Sequence, residues 1–591
     1  MDAYRKDIDG LRAIAVLSVI AFHFGLLPNG YLGVDVFFTI SGYLITGIIY
    51  KETAEGRFSI IQFYLRRTRR IIPLILLISF ISLIIGMAVM LPDDLENLSQ
   101  SVIATNLFSN NILQLITTRN YWDVVNEFKP LMHTWSLGIE EQYYLLYPFL
   151  FLIIGRKRKT WVLPVLLLLT LISLLLFLSP FFSSPAKYYL IPFRFFELSI
   201  GGIGAILCKD KTINKKYAPL FLAALIAIIS MHIKQVPGSL ETIIVVLITI
   251  GLLVTTNDQN KMSSRILENK LMVSIGKLSF SLYMWHQLIL SYTRYFIVQE
   301  TTISSLALVF ISIVALSVLS YYFIEQPFRD KTRIMTTTLL WVLGLTFMLT
   351  TVSATVIYFR AGVIRDVPEL DITTTEVKRN MHAQYNASVK NYDKAFTDTK
   401  KLKVLVIGNS YARDWANVLL ESKFRKDIEL SYINYLSKSG DHLQRSQQAD
   451  LIFFTELDRS LFIRAYKNGY NIDTSKVWCV GIKNFGISNG LFYNHKRDKE
   501  YFMQRAPLRR AYLMKNDLLK KQWSNKYIDL AGMYVDSNGT FPIFTPDRKF
   551  ISQDCRHLTK AGAKYFATLI GSDPGFVLNR FVKPGYTEPT Q

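Results

Sequence analysis

The chain has 591 residues, of which half are hydrophobic, a positive mean hydropathy and a formal net charge of +22 at pH 7. A soluble protein of this length is rarely so apolar, and the length permits two or more domains. The basic excess would suit a nucleic-acid partner, but Lys and Arg cluster in alternate short loops between apolar blocks, which is the pattern that orients membrane proteins. We therefore expect a lipid bilayer as a partner and no nucleic acid.

Apolar blocks of about twenty residues, the length that crosses a bilayer core, fill most of the chain before residue 358. Hydropathy predicts a polytopic α-helical membrane bundle of about eleven spans. The spans are expected near residues 8–27, 33–50, 71–91, 138–155, 161–180, 195–208, 217–232, 240–256, 272–297, 303–324 and 335–358. The first block lacks a small-residue cleavage site, so we expect it to be a retained helix.

The charges of the loops predict an orientation. Loops 51–70, 155–160 and 209–216 are basic, whereas segment 92–130 is net acidic. Cytoplasmic loops carry the excess of Lys and Arg, so the N-terminus is expected to be cytoplasmic. An odd number of spans then places everything after about residue 360 outside the membrane.

Changes in composition predict four segments. Residues 1–335 form the main membrane domain, 336–360 an additional transmembrane helix, 361–400 a polar linker or extension, and 401–591 an extracytoplasmic domain. In this last segment, short apolar runs alternate with helix-like stretches, which predicts an α/β sandwich around a parallel sheet. The runs lie at 404–407, 451–454 and 477–480, and the helix-like stretches at 412–420 and 559–570.

Arg12 and His23 lie eleven residues apart on the first predicted span. Eleven residues make about three helical turns, so both side chains project from one face. Ionisable groups inside spans mark candidate functional sites. Histidine can act as a general base, and arginine suits the phosphate of a nucleotide-carried acyl donor. The alternative is that Arg12 reaches the cytoplasmic surface and His23 is a packed polar residue.

Further ionisable residues recur at the ends of the predicted spans or within them. They are Asp35 in GVDVFFTISGYLIT, Arg66, Arg67, Arg69 and Arg70 in FYLRRTRRIIP, Glu140 and Glu141 in TWSLGIEEQYYLLYP, Arg194 and Glu197 in RFFELSIGG, and His286 in GKLSFSLYMWHQ. Arg194 and Glu197 are three residues apart and can pair on one helical face. Taken singly, the acidic residues are also explained as structural ion pairs between helices.

Taken in order, these motifs resemble the membrane-bound acyltransferase-3 family over roughly residues 5–335. The resemblance rests on the Arg and His with ten residues between them, GVDVFF…SGYLIT, WSL…EEQYY and SLYMWH. It implies the transfer of acyl groups, mostly acetyl from cytoplasmic acetyl-CoA, to extracytoplasmic carbohydrates. It also implies that Arg12 and His23 are essential and that the four arginines of FYLRRTRRIIP meet the donor.

A second set of motifs lies in the C-terminal part. The segment VLVIGNSYARDW runs from a predicted strand into a helix and places Ser410 at the helix N-terminus, where backbone N–H groups can hold an oxyanion. In DCRHLTKAGA, Asp554 and His557 are three residues apart, so the carboxylate can orient the imidazole toward Ser410. No metal-ligand cluster is recognisable, and we expect no bound cofactor.

This arrangement resembles the SGNH hydrolase family, which includes esterases and acetyltransferases. The resemblance implies an SGNH-like three-layer α/β domain over 401–591 and oxyanion donors from a glycine and an asparagine. Asn484, in VGIKNFG, and Gly440 are the candidates. The aspartate that usually precedes the nucleophile is Asn409 here, which puts full activity in doubt. The alternative is a module that binds glycan without catalysis.

The remaining Cys and His residues give weaker signals. A bridge between Cys479 and Cys555 stays open at this level. Five other histidines show no partner pattern and are interpreted as having no functional role. They are His133, His232, His382, His442 and His495.

These features predict an O-acyltransferase of the bacterial cytoplasmic (inner) membrane. The acetyl group of acetyl-CoA would cross the membrane and be transferred to a hydroxyl of a surface glycan such as lipopolysaccharide O-antigen. Ser410 is a candidate to carry the acetyl group as an acyl-enzyme intermediate. Peptidoglycan is an alternative acceptor. Two alternative functions are a transporter with a glycan-binding module and a membrane-anchored glycan deacetylase.

Overall fold

A computed structural model describes most of the chain. The described residues are 4–117, 124–155, 161–208, 217–231, 237–255, 261–296, 302–375, 381–398, 400–438, 440–486, 488–552 and 554–581. The basic clusters predicted at 156–159 and 209–216, and His232, lie outside these ranges, as does the side chain of His382.

The chain divides into two compact units. The helical unit comprises Met1–Ala88 and Asn97–Tyr358, and the sheet unit comprises Val89–Glu96 and Phe359–Gln591. Each unit is described separately below.

Helices dominate the described part of the chain up to residue 359. Their bounds are α1 Lys6–His23, α2 Gly33–Ala54, α3 Ile60–Val89, α4 Pro92–Asn106, α5 Asn110–Thr117, α6 Thr134–Leu150, α7 Val162–Leu178, α8 Ser184–Tyr189, α9 Ile191–Leu207, α10 Ala218–Ser230, α11 Gly238–Thr255, α12 Lys261–Leu267, α13 Lys270–Arg294, α14 Ile303–Ser320, α15 Gln326–Arg329 and α16 Thr336–Phe359.

Every predicted span coincides with one of these helices, namely α1, α2, α3, α6, α7, α9, α10, α11, α13, α14 and α16. Among the described residues, seven helical stretches are long and apolar enough to cross a membrane, and α7 and α10 are shorter apolar helices. Helices satisfy their own backbone hydrogen bonds, which a bilayer core requires. The helical unit is therefore a membrane-type helical bundle.

The segment predicted as a basic loop at 51–70 is mostly helical. Helix α2 continues to Ala54 and α3 begins at Ile60, so the four arginines at 66–70 lie on α3. The loop prediction was wrong because hydropathy marks only the apolar part of a helix. Arginine is a good helix former, so a helix can continue beyond its apolar block.

Close contacts at glycines hold α1 against α13 and α2 against α9. A Cβ atom at Gly276 would lie 1.9 Å from the carbonyl oxygen of Asp9, and one at Gly42 would lie 1.8 Å from that of Leu198. Small residues let helix backbones approach closely where the surroundings are apolar. This contact brings the polar side chains of α1 and α13 into one interior.

The sheet unit contains a parallel sheet with helices packed around it. Its strands are β1 Leu402–Ile407, β2 Ile428–Ile433, β3 Leu451–Thr455, β4 Val477–Val480, β5 Arg505–Pro507, β6 Tyr527–Ile528 and β7 Thr540–Pro542. Its helices are α17 Met381–Ala387, α18 Ser410–Glu421, α19 His442–Gln448, α20 Arg459–Phe462, α21 Asn468–Tyr470, α22 Asn489–Tyr493, α23 Arg510–Trp523, α24 Leu530–Tyr534 and α25 Lys560–Ser572.

The main sheet has the order β2-β1-β3-β4-β6, and each neighbouring pair is parallel. The predicted parallel sheet is confirmed, and the three predicted strands coincide with β1, β3 and β4. Strand β1 lies between β2 and β3, with Ile407 in register with Ile433 and Phe454. The residues that follow β1 therefore emerge between two neighbouring strand ends.

Part of the predicted linker belongs to the core of the sheet unit. Val367 and Val389 are fully buried against the apolar cluster that covers one face of the sheet. Apolar side chains in this segment bury surface as a domain core does.

The structure leaves Cys479 and Cys555 unbridged. The Cys479 sulfur, on β4, lies 3.7 Å from the carbonyl oxygen of Leu457, whereas the Cys555 sulfur lies 3.6 Å from Oδ1 of Asn489. Burial raises the pKa of Cys479 to about 12. The thiolate needed for disulfide exchange is therefore scarce at neutral pH.

Candidate active sites

Ser410 lies at a sharp turn from β1 into α18. Gly408 adopts a φ of 137°, and its carbonyl oxygen accepts a hydrogen bond of 2.7 Å from the hydroxyl of Tyr432. Asn409 caps the helix, because its Oδ1 accepts the backbone N–H of Tyr411 at 3.1 Å. Ser410 is the first residue of α18. Its hydroxyl therefore lies at a helix N-terminus, the end at which backbone N–H groups point out of the helix.

His557 bridges Ser410 and Asp554, as the sequence predicts. Its Nε2 atom lies 2.8 Å from Oγ of Ser410, and its Nδ1 atom lies 2.6 Å from Oδ2 of Asp554. A carboxylate at Nδ1 holds the hydrogen on that nitrogen. The Nε2 lone pair then faces the serine hydroxyl, which is the geometry of a nucleophile with its general base.

Asp554 is held in its ionised form. Desolvation acts to raise its pKa, but the hydrogen bond and charge of His557 and the backbone N–H groups of Arg556 and His557 outweigh it, so the pKa is lowered. Those two N–H groups donate to Oδ1 at 2.9 and 2.7 Å. A carboxylate that accepts several hydrogen bonds favours its charged form.

A buried ion pair that the sequence analysis missed supports the His557 loop. Lys483 donates hydrogen bonds to Oδ2 of Asp414 and to the carbonyl oxygen of Arg556, and both side chains of the ion pair are almost fully buried. Oδ2 of Asp414 also accepts the backbone N–H of Leu558 at 3.2 Å. Asp414 follows Ser410 by one helical turn on α18, a spacing that is visible in VLVIGNSYARDW. The pair therefore links the serine helix to the residues on both sides of His557.

No described hydrogen bond joins either predicted oxyanion donor to Ser410. Asn484 follows β4, which β3 separates from β1, so two strand spacings of about 4.8 Å lie between them. Its backbone N–H donates to the Tyr534 hydroxyl at 3.1 Å, and its Oδ1 accepts from Gly486 at 3.2 Å. Gly440 follows β2 with a φ of 78°. The oxyanion roles of Asn484 and Gly440 stay predictions.

The helical unit contains a cavity with three cationic side chains. It has about 800 Å³ of empty space, part of it open to solvent, and its lining includes Arg12, Arg67, Arg70, Glu140 and Tyr144. Glu140 accepts a hydrogen bond of 2.7 Å from Ser41. The guanidinium groups that line the cavity suit phosphate.

The four arginines of α3 have different surroundings. Arg67 and Arg70 line the cavity, and the Arg67 guanidinium lies 4.5 Å from the ring centre of Tyr144. Arg66 is exposed and pairs with Glu52 at 3.1 Å. Arg69 is buried and donates to the carbonyl oxygens of Phe328 and Ile334 at 3.1 and 2.9 Å. The structure therefore brings two of the four to the cavity.

Asp35, Arg194 and Glu197 form a buried ion cluster. One nitrogen of Arg194 lies 2.8 Å from Asp35 and 2.6 Å from Glu197, and none of the three lines the cavity. This geometry fits the structural reading, in which the charges hold α2 against α9. Glu141, adjacent to Glu140, is largely buried on α6, and its Oε1 has no hydrogen-bond partner among the described residues.

His23 lies in a group of three histidines at the other end of α1 from Arg12. The ring centres of His23 and His286 are 5.0 Å apart, and those of His286 and His133 are 5.3 Å apart. The Tyr283 ring lies 5.3 Å from both His133 and His286 and also lines the cavity. The sequence analysis assigned no role to His133, whereas the structure places its ring against Tyr283 and His286. Its position directly before TWSLGIEEQYY was the available signal.

No metal centre is formed by the described residues, which contain no group of three His, Cys, Asp or Glu side chains arranged to hold a metal ion.

Comparisons with known proteins place the helical unit in a family context. The family profile described as "Acyltransferase domain" (acyltransferase-3) matches residues 5–322, more than half of the chain. The O-acetyltransferase OatA of Staphylococcus aureus strain NCTC 8325 / PS 47 is 29% identical over 351 residues, covering 56% of this chain and 58% of that protein. A protein of strain MSSA476, named as a candidate O-acetyltransferase, is 29% identical over 380 residues with the same coverage. The chain thus spans little more than half the length of these relatives, and no solved structure matches it.

Proposed function

Because the chain belongs to the acyltransferase-3 family, we propose that it is an O-acetyltransferase that moves acetyl from cytoplasmic acetyl-CoA to a hydroxyl of a surface glycan. The observation that carries the proposal is the cavity with Arg12, Arg67 and Arg70 inside the residues that the family profile matches. Two relatives named as O-acetyltransferases support the same type of reaction.

The cavity serves as the donor site in this proposal. Guanidinium groups form strong, charge-assisted hydrogen bonds with phosphate oxygens, so the three arginines suit the phosphates of acetyl-CoA. In the proposed orientation, the N-terminus lies in the cytoplasm of a bacterium. Eleven spans, an odd number, then place the sheet unit outside the cytoplasmic membrane. The arginines at the start of α3 support a cytoplasmic donor, because basic residues favour that side.

Ser410 serves as an acyl carrier in the second stage. Its Oγ bonds to the acetyl carbonyl carbon while His557 takes the hydroxyl proton. The bond from that carbon to the previous acetyl carrier breaks, and the carrier leaves with the proton from His557. An acceptor hydroxyl then attacks the ester, gives its proton to His557 and releases the Ser410 oxygen, which regains the proton. The parallel sheet and the Ser410, His557 and Asp554 distances support an SGNH-like assignment for this unit.

The proposed acceptor is a surface polysaccharide. The two candidate acceptors are lipopolysaccharide O-antigen and peptidoglycan. An analysis of which cell-surface glycan carries acetate distinguishes them. Acetyl transfer to either leaves an ester that mild base releases.

The proposal is tested with the full chain in lipid vesicles and acetyl-CoA that carries a labelled acetyl group. We expect CoA release that depends on His23 and a labelled peptide that contains Ser410. Transport of a substrate without consumption of acetyl-CoA would support the transporter alternative. Removal of acetate from an acetylated glycan, with no transfer, would support the deacetylase alternative.

A further inference from the structure

His23, His133 and His286 come from three separate parts of the helical unit. His23 ends α1, His133 directly precedes α6, and His286 lies in the middle of α13. Their neighbouring ring centres are 5.0 and 5.3 Å apart. His133 and His286 are 2% and 0% exposed, respectively. Residues distant in sequence are thus brought together in a largely buried polar group.

Backbone carbonyl groups fix the tautomer of two of the rings. Nδ1 of His23 lies 2.9 Å from the carbonyl oxygen of Val19, and Nδ1 of His286 lies 2.6 Å from that of Tyr283. A carbonyl oxygen only accepts hydrogen bonds, so each Nδ1 carries a hydrogen. In the neutral rings, Nε2 of both histidines therefore has a lone pair that can accept a proton.

Three nitrogens, on His133 and His286, lack a hydrogen bond of ordinary geometry to any described residue. They are Nε2 of His286 and both ring nitrogens of His133, and all three are buried. Most buried polar atoms in proteins have a partner, so three exceptions in adjacent rings call for a functional explanation. A neutral His133 must still carry one N–H group. The group of three rings therefore contains this donor and the acceptor lone pairs on Nε2 of His23 and Nε2 of His286.

We propose that His23, His133 and His286 form the site that binds and deprotonates the alcohol that takes acetyl from the donor. The inference rests on the proposed function and deepens it. The alcohol donates its hydrogen to Nε2 of His23 and accepts the N–H of His133. An alcohol is both donor and acceptor, which matches this set of nitrogens.

The proton and electron movements balance. The alcohol oxygen bonds to the thioester carbonyl carbon as its O–H bond breaks and the proton moves to Nε2 of His23. The C–S bond then breaks, and CoA leaves as the thiolate. The proton can pass to Nε2 of the adjacent His286 and on to solvent, while the thiolate takes a proton from solvent. No oxidant or reductant is required.

Tyr283 connects this site with the donor cavity. Its ring contacts His133 and His286, its hydroxyl donates to the carbonyl oxygen of His133 at 2.9 Å, and it lines the cavity. Arg12 and His23 are eleven residues apart on α1, or about 16 Å at 1.5 Å per residue. A donor held by its phosphates near Arg12 must therefore extend its thioester along α1 to reach the histidines.

Charged groups near the three rings are few in the described structure. Arg294 donates to the carbonyl oxygen of His23 at 3.5 Å and lies 3.7 Å from Glu127. Gln287 follows His286 and donates to the carbonyl oxygen of Lys129 at 3.1 Å. No carboxylate is hydrogen-bonded to His133 or His286 among the described residues. Among the described side chains, the imidazoles are the bases that these contacts place at this position.

The deciding variant is His133→Phe in the full chain. It keeps a ring and removes two buried nitrogens that lack a hydrogen bond of ordinary geometry to a described residue, so the thermal midpoint should be unchanged or higher. We expect the rate of CoA release at saturating acetyl-CoA to fall by roughly a hundredfold or more, with little change in the KM for acetyl-CoA. Thr249→Val is the matched control, because its buried hydroxyl also lacks a described partner, on α11.

A folded His133→Phe protein with near-normal CoA release would overturn the inference while leaving the proposed function intact. Absence of CoA release from the wild-type chain would instead contradict the proposed function. If His133→Phe does not fold, His133→Ala with added imidazole replaces it, and we expect imidazole to restore release several-fold. No restoration in a folded His133→Ala protein would count against the inference.

Discussion

Nε2 of His557 lies 2.8 Å from Oγ of Ser410, on the opposite side of the ring from Asp554. This relationship gives the sheet unit a serine with a base in hydrogen-bond contact and a carboxylate that fixes the tautomer of that base. Asn409 takes the place of an aspartate but caps α18 with its side chain. The departure from the SGNH pattern therefore leaves the position of Ser410 at the helix N-terminus intact.

Ser410→Ala should abolish acetyl transfer through the sheet unit without unfolding it. The serine hydroxyl is the only proposed attachment point for acetyl in this unit, and loss of a nucleophile typically costs at least about a thousandfold in rate. Mass spectrometry of the labelled full chain should show no acetyl on the peptide 402–421. Ser572→Ala, at the end of α25, is the control and should keep the label. Retention of acetyl on that peptide in Ser410→Ala would exclude Ser410 as the carrier.

Asp554→Asn should lower turnover at the serine by roughly a hundredfold to ten thousandfold, because the amide no longer selects the tautomer in which Nε2 accepts a proton. The substrate's KM should change little, since Asp554 reaches the substrate only through His557. The measurement is ester hydrolysis by the full chain with a chromogenic acetyl ester. An unchanged rate in Asp554→Asn would contradict the role of the aspartate.

The same variant makes a prediction about acid stability. The pKa of Asp554 is lowered in the folded protein. Its ionised form therefore adds stability above the unfolded-chain pKa of about 3.9, and this contribution is lost as the pH falls toward the folded value. The thermal midpoint of the wild type should exceed that of Asp554→Asn at about pH 6, and the gap should narrow by about pH 3. A gap that widens on acidification would show that the sign is wrong.

Lys483→Met should destabilise the sheet unit, because it leaves the Asp414 carboxylate buried without its cation. Removal of one partner of a buried ion pair costs about 3–5 kcal/mol. Lys483→Met combined with Asp414→Leu should recover much of that loss, since no unpaired charge remains. Turnover at Ser410 should stay low in the double variant, because the contact from Asp414 to Leu558 is also gone. Chemical unfolding followed by the fluorescence of Trp415 and its neighbours measures the first effect, and ester hydrolysis the second.

Arg70→Gln should raise the Kd for acetyl-CoA roughly tenfold, because one charge-assisted contact with phosphate is lost. Arg66→Gln is the matched control: it changes the same residue type one turn earlier on α3, where the side chain is exposed and pairs with Glu52. Binding of acetyl-CoA to the full chain in vesicles is the measurement. Equal effects of the two substitutions would argue for a general surface charge and against a donor site in the cavity.

Local patterns predicted much of the sheet-unit site. Ser410 follows a strand at a turn into a helix, and Asp554 and His557 are close in sequence, so a short segment fixes their mutual geometry. Strands β2 and β6 were missed, because β2 carries Glu429 and Ser431 and β6 has only two residues. Neither gives a continuous apolar run.

The groups in the helical unit were harder to predict, because tertiary contacts decide them. His133 acquires its ring neighbours from α13, and its position before TWSLGIEEQYY marks it as a candidate without predicting those contacts. The four arginines of α3 look alike in sequence. Rotation of about 100° per residue gives them different surroundings on the helix, and packing sends Arg69 to backbone carbonyl groups and Arg67 to the cavity.

Mass spectrometry of cell-surface glycans, in cells with and without the chain, tests the central claim most directly. The account predicts base-labile acetyl esters on a surface polysaccharide that require the chain and disappear in His23→Ala, and the fragment masses identify the acceptor sugar. Glycan acetylation that is the same with the chain, without it and with His23→Ala would contradict the account.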